Sequence, residues 1–169
     1  ALCGMVASLT TGKKKYADVK SEIQQLMEST NALQNKLLDQ VRADAEGFQP
    51  LSRAYAIPRE DPTRAAVLQS AAETACTAPL EIMALCAAAL SAAGRLAEIG
   101  PRLAVSDAGC AAAILRGALE AAALNVLVNT KTMTDRSAAD HLNARCFALL
   151  DQGRTDGERI FCAVRDQLV

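Results

Sequence analysis

Between Ala71 and Ala97 the chain places Ala75, Ala78, Ala84, Ala87, Ala88, Ala89, Ala92 and Ala93 among leucines and cysteines. Alanine is the strongest helix former, and small side chains let helix axes approach closely. This stretch therefore predicts the crowded centre of a helical bundle or a subunit interface. The remaining apolar content points the same way: hydrophobic residues make up 51 % of the 169, aromatics 3 %, and there is no Trp. That composition disfavours a β-sandwich. A chain of this length fits one domain with a real core. The expectation is an all-α, single-domain, up-and-down bundle of about five to six helices.

Breakers and caps divide the chain. Residues 1–10 read as the tail of a buried helix ended by Thr10, Thr11 and Gly12. A long helix is predicted from Asp18 to Tyr55, with Gly47 and Pro50 weakening or bending its end. After IPREDPTR, Asp61 as N-cap and Pro62 in the first turn open a helix that Pro79 kinks and Gly100 and Pro101 stop. Ser106 reads as the N-cap of SDAGCAAAILRGALEAAALNVLVN. Its Leu124–Val128 run is β-prone, but the length and Ala-rich start favour a helix. Thr134 then caps a last helix with Ala138, Leu142, Cys146 and Leu149 on its inner face, broken or bent at Gly153 and Gly157.

Several function classes lose support. A net charge of -1 without a basic, aromatic-studded stripe leaves no footprint for nucleic acid. No apolar run of membrane-spanning length is evident, so no membrane partner is expected. Six scattered cysteines without a CxxC pair read as small core residues in a reducing, cytoplasmic setting. A single histidine, His141, supplies neither a metal site nor a Ser-His-Asp triad and reads as a surface or satisfied residue. Cys110 lacks an adjacent base, so a nucleophilic role is not expected.

Candidate chemistry centres on the long helix. Leu33, Leu37, Val41, Phe48 and Leu51 recur at steps of three, four or seven, and Asp44 falls on their stripe. A carboxylate facing a core pays a desolvation penalty that raises its pKa and suits it to general acid/base work. The competing reading pairs Asp44 with a nearby Lys or Arg for structural ends. Lys13, Lys14, Lys15 and Tyr16 form either a solvated loop or an anion clamp, and the spacing from Gly4 and Gly12 is wrong for a phosphate-binding GxxxxGK loop. Asp107 suits the first turn of its helix. Asn125 and Asn129, four apart, either bond neighbouring backbone or present amides to a ligand.

Taken in order, MVASLTTGKKKYADV, the DAEGF of residues 44–48, Ala56–Pro58, VSDAG, ALNVLVN and the following TDR resemble the formiminotetrahydrofolate cyclodeaminase and methenyltetrahydrofolate cyclohydrolase family. The resemblance spans nearly the whole chain, residues 1–169. It implies an all-helical homodimer acting on tetrahydrofolate that carries a methenyl or formimino group, with no tightly bound cofactor and no metal. It implies that Asp44 donates and accepts protons, and that Lys13, Lys14, Lys15 and Tyr16 hold the glutamate carboxylates of a folate, polyglutamylated or not. Asp107, Asn125 and Asn129 would orient the ligand. Two departures stand out. The family's glycine-rich segment would fall before residue 1 and is expected to be missing here, and Arg42 stands where an acidic residue is often seen.

The implied chemistry has Asp44 take a proton from water attacking the methenyl carbon and return one to the ring nitrogen as the adduct opens to the 10-formyl product. A cyclodeaminase would use the same acid to help ammonia leave. Cyclohydrolase is the preferred expectation, since no transferase-like sequence accompanies these residues. The rival from another class is a non-catalytic helical interaction protein, in which Ala-rich faces form an assembly surface and Asp44 belongs to a structural ion pair.

Overall fold

A computed structural model describes residues 1–169, and every regular element in it is helical. Six α-helices follow in order: α1 (Leu2–Thr10), α2 (Lys20–Tyr55), α3 (Arg64–Ala75), α4 (Thr77–Ile99), α5 (Val105–Lys131) and α6 (Arg136–Leu168), with short 3₁₀ turns at Lys14–Val19 and Arg102–Ala104. The Ala-rich segment is the centre, as expected. Along α4, Leu80, Met83, Cys86, Leu90, Ala93 and Leu96 are all buried, and α2, α5 and α6 pack around them. α5 returns antiparallel to α4, and α6 antiparallel to α5. α2 lies antiparallel to α4: Ile23 shares a cluster with Ala93 and Leu96, and Gly47 lies beside the Thr74 carbonyl at the other end. α2 and α5 therefore run in the same direction.

Small residues set the closest approach. At the α5–α6 seam, Gly153 lies under the buried Leu119, and a Cβ on Gly157 would come within 2.9 Å of the Arg116 Cβ. Reciprocally, a Cβ on Gly109 would come within 2.8 Å of Val164. The expected break at Gly153 and Gly157 is absent, because the neighbouring helix fills the space a side chain would take and α6 runs unbroken. α2 likewise continues through Gly47 and Pro50 to Tyr55. Gly12, with φ of +78°, makes the turn after α1.

Helix starts differ from the cap reading by one or two residues. Asp61 accepts from the backbone N–H and hydroxyl of Thr63 at 2.8 and 2.6 Å, so its carboxylate closes a turn and α3 begins only at Arg64. The 3₁₀ turn starts α5 at Val105, placing Ser106 inside the helix; Asp107 does occupy the first turn. Asp135 caps α6 by accepting from the Ala138 N–H at 3.0 Å. The Thr134 N–H instead donates to Gln69 on α3.

Two stretches, Arg64–Ile99 and Arg102–Lys131, are long and apolar enough for a membrane span by length and composition, contrary to the sequence expectation. The first is core, 67 % of its most apolar window being buried. In the second, α5, that share is only 33 %. One side of α5 is therefore apolar and uncovered.

Candidate functional site

Asp44 is exposed, not core-facing, in the subunit. The cause lies in helix geometry. A straight helix drifts by about 20° per heptad, so a stripe with steps of three, four or seven cannot stay on one side of a 36-residue helix. Near residue 44 the inward line runs through Gln40, Ala43, Gly47 and Leu51, while Val41 and Phe48 are 71 % and 51 % exposed. The sequence reading followed large side chains. The packed line follows small ones. The alternative also fails within the subunit, since Asp44 takes part in none of the ion pairs. One chain thus supplies neither the desolvation nor the partner that each reading required.

An apolar groove separates α2 from α5. It encloses about 370 Å³, with Leu33, Leu37 and Leu38 on one wall, Ile114 and Leu115 on the other, and Ala89 at its floor. Leu37 and Leu115 both line it and pack on the same buried cluster, and the two helices run parallel, so Asp44 and Asn125 lie further along toward the same end. Asn125 is exposed. Exposed apolar side chains run along both helices: Leu38, Val41 and Phe48 on α2, and Ile114, Leu124 and Val128 on α5, are each at least half exposed.

Asn129 turns the other way. It is buried, and its Nδ2 donates to the Ala75 carbonyl at 3.1 Å, so of its two predicted roles the backbone bond is the one formed. The neighbouring TDR segment is also a backbone fastener. Arg136 donates to the carbonyls of Thr130, at the end of α5, and Met133, just past it, and Gln69 Oε1 accepts from the N–H groups of Thr134 and Asp135 at 2.8 and 2.9 Å. Gln69 carried no sequence motif. The Asn129 bond was readable in principle, because Pro79 removes the N–H that Ala75 would otherwise receive.

The lysine loop lies at the opposite end of α2. From Lys20 to Asp44 is roughly 36 Å at about 1.5 Å per helical residue. A recess of about 160 Å³ is lined there by Thr10, Gly12, Lys13, Lys14, Tyr16 and Lys20. Lys15 instead borders a second recess of about 330 Å³ with Arg102, Glu98 and Gln167. The loop's cations share Tyr16 but do not converge; the Lys15 ammonium lies 5.8 Å from the Tyr16 ring centroid. Half-buried Asp107, near the start of α5, belongs to this end. Within one chain the eight candidates therefore form two groups: Lys13, Lys14, Lys15, Tyr16 and Asp107 at one end, Asp44, Asn125 and Asn129 at the other.

The remaining titratable groups offer no rival centre. No group of three or more His, Cys, Asp or Glu side chains is placed to hold a metal ion. His141 is exposed. All six cysteines are free, and Cys110 is exposed. Burial pushes the Cys76 and Cys86 thiols up to about 11, which keeps them neutral core groups.

Comparison with known proteins gives this geometry a family. Residues 1–148 match the formiminotransferase-cyclodeaminase family model. The chain is 35 % identical over 172 residues to a methenyltetrahydrofolate cyclohydrolase of Methylorubrum extorquens, an alignment covering 99 % of this chain and 83 % of that protein. It is 30 % identical to a formimidoyltransferase-cyclodeaminase of Sus scrofa, over 92 % of this chain but only 29 % of that longer protein. The crystal structure of formiminotetrahydrofolate cyclodeaminase from Thermotoga maritima superposes with a TM-score of 0.83 at 26 % identity, covering 99 % of this chain and 79 % of that one. On sequence and fold alike, the chain belongs to the formiminotransferase-cyclodeaminase family.

Proposed function

We propose that this protein hydrolyses 5,10-methenyltetrahydrofolate to 10-formyltetrahydrofolate, with Asp44 as general acid and base. The observation that carries the choice of reaction is the 35 % identity, over nearly the full chain, to a relative named for that activity. Water adds to the cationic methenyl carbon as Asp44 accepts one of its protons, leaving a neutral tetrahedral adduct. Asp44 then returns the proton to N5 while the C–N5 bond breaks. The hydroxyl proton departs to solvent as the formyl C=O forms on N10.

This chemistry calls for a desolvated carboxylate, and a second copy of the chain supplies the cover. The partner is proposed to dock on the apolar face shared by α2 and α5, whose exposed Val41, Phe48, Leu124 and Val128 flank Asp44 and Asn125. A two-fold arrangement presents the same face from both chains. Folate with a single glutamate is shorter than the roughly 36 Å between Lys20 and Asp44 along one α2. The glutamate end of the ligand is therefore held by the partner's basic loop, where Lys13 and Lys14 line one recess and Lys15 the next.

Loss of methenyltetrahydrofolate absorbance tests the reading. Asp44→Asn should lower kcat by about 10²–10⁴-fold while leaving the helical circular dichroism intact. Equal rates for the two proteins would overturn it. The second reading, formiminotetrahydrofolate cyclodeaminase, is favoured by the structural match. Ammonia release from the formimino substrate, faster than turnover of the methenyl substrate, would select it.

A further inference from the structure

Pro79 stands in the first turn of α4, buried, four residues after Ala75. Proline has no N–H, and its ring crowds the carbonyl four residues back, so the helical path from α3 into α4 leaves the Ala75 carbonyl without its usual donor. A buried carbonyl without a donor is costly. That carbonyl receives the Asn129 Nδ2 amide at 3.1 Å. One turn earlier on α5, the Val126 carbonyl accepts from the Cys76 thiol at 3.8 Å. The α3–α4 junction is thus fastened twice to the second half of α5.

Beyond the junction, the last turn of α3 lies on α2. A Cβ built on Gly47 would stand 3.6 Å from the Thr74 carbonyl, an ordinary contact, and Gly47 is one turn past Asp44. Leu51 and Ala54 share a buried cluster with Ala71, Ala72 and Ala75. From the middle of α3, Gln69 holds the α5–α6 corner through the N–H groups of Thr134 and Asp135. α3 is therefore a strut, fixed by polar bonds on its α5 side and by packing on its α2 side.

We infer that Asn129 is a positioning residue that makes no contact with folate: by pairing with the carbonyl Pro79 leaves free, it holds α3 against the turn of α2 that carries Asp44. The catalytic half of this inference rests on Asp44 as the proton carrier. The bond itself does not.

The test is a double-substitution cycle on the full chain. Asn129→Ala should lower Tm by about 3–6 °C. It should also lower kcat about tenfold, as a small misplacement of the acid would, with KM unchanged within about twofold. In a Pro79→Ala background, residue 79 regains an N–H that can bond the Ala75 carbonyl, so adding Asn129→Ala should lower Tm by less than half as much. Asn129→Asp, of the same shape but without an amide donor, serves as the second variant if Asn129→Ala does not fold. A raised KM with unchanged kcat would overturn the inference by showing substrate contact. Equal Tm losses in both backgrounds would overturn it by showing that the Ala75 carbonyl is not the partner. A fully active Asp44→Asn protein removes the catalytic half, whereas the Tm cycle contains no Asp44 variant and reports on the bond alone.

Discussion

A single methyl group at position 153 would enter the side chain of Leu119, which is fully buried and has nowhere to move. Gly153→Ala should therefore destabilise by about 1–3 kcal/mol through overpacking, although alanine is the better helix former. Chemical unfolding of the two proteins measures it. Gly117→Ala is the control: it has open space around it and should not destabilise. The same physics explains which residues were legible. Glycine in a helix reads as a breaker when only its own helix is considered, as at Gly153 and Gly157, whose neighbours Leu119 and Arg116 come from α5. Asp44 was placed on its helix correctly but on the wrong side of the local packing line, because alanine and glycine at 43 and 47 carry little hydrophobic signal. The sequence around Asn129 is compatible with two roles, and the position of Pro79 relative to Ala75 decides between them.

At the scale of elements, the course of the helices is readable from periodicity and from Gly12, Gly100 and Pro101, except that the stretch expected as one helix kinked at Pro79 is two, α3 and α4, parted at Cys76, three residues before the proline. The starts of α3, α5 and α6 are not, since the turn closed by Asp61, the 3₁₀ turn before α5 and a distant Gln69 satisfy groups that a local reading assigns to caps. The first turn of α2 is tied to α4 by an ion pair, Glu22 to Arg95 at 2.5 Å, with Glu98 on the same guanidinium at 2.7 Å. The Arg95 hydrogen bond holds the Glu22 carboxyl below its ordinary value of 4.5. A carboxyl depressed in the folded state contributes stability above its unfolded pKa and loses it as pH falls through the folded one. Glu22→Gln should thus lower Tm at neutral pH, and the gap from wild type should close as pH drops below about 4.5. Both groups are well exposed, so the gap is small and should shrink further in high salt. A gap that stays constant down to pH 3 would show that the pair contributes nothing.

For the molecule as a whole, the all-helical class and central α4 followed from composition. The division of the candidate residues into two ends did not, because it depends on α2 being one straight rod. If the ligand spans two chains, a protein carrying Lys13→Glu and Lys14→Glu and a protein carrying Asp44→Asn are each deficient for a different half of the site. After the two are unfolded and refolded together, half of the dimers are mixed and each mixed dimer has one intact site. About one quarter of the wild-type rate should return. No recovery in mixtures that form mixed dimers would place both halves within one chain.

The exposure of Asp44 in the lone subunit carries a kinetic consequence under this reading. A newly made chain is an inert precursor, and its carboxylate meets a dry environment only after encounter with another. At scarce expression, output would rise with the square of the amount of chain, and abundance alone would set a threshold for turnover without any effector.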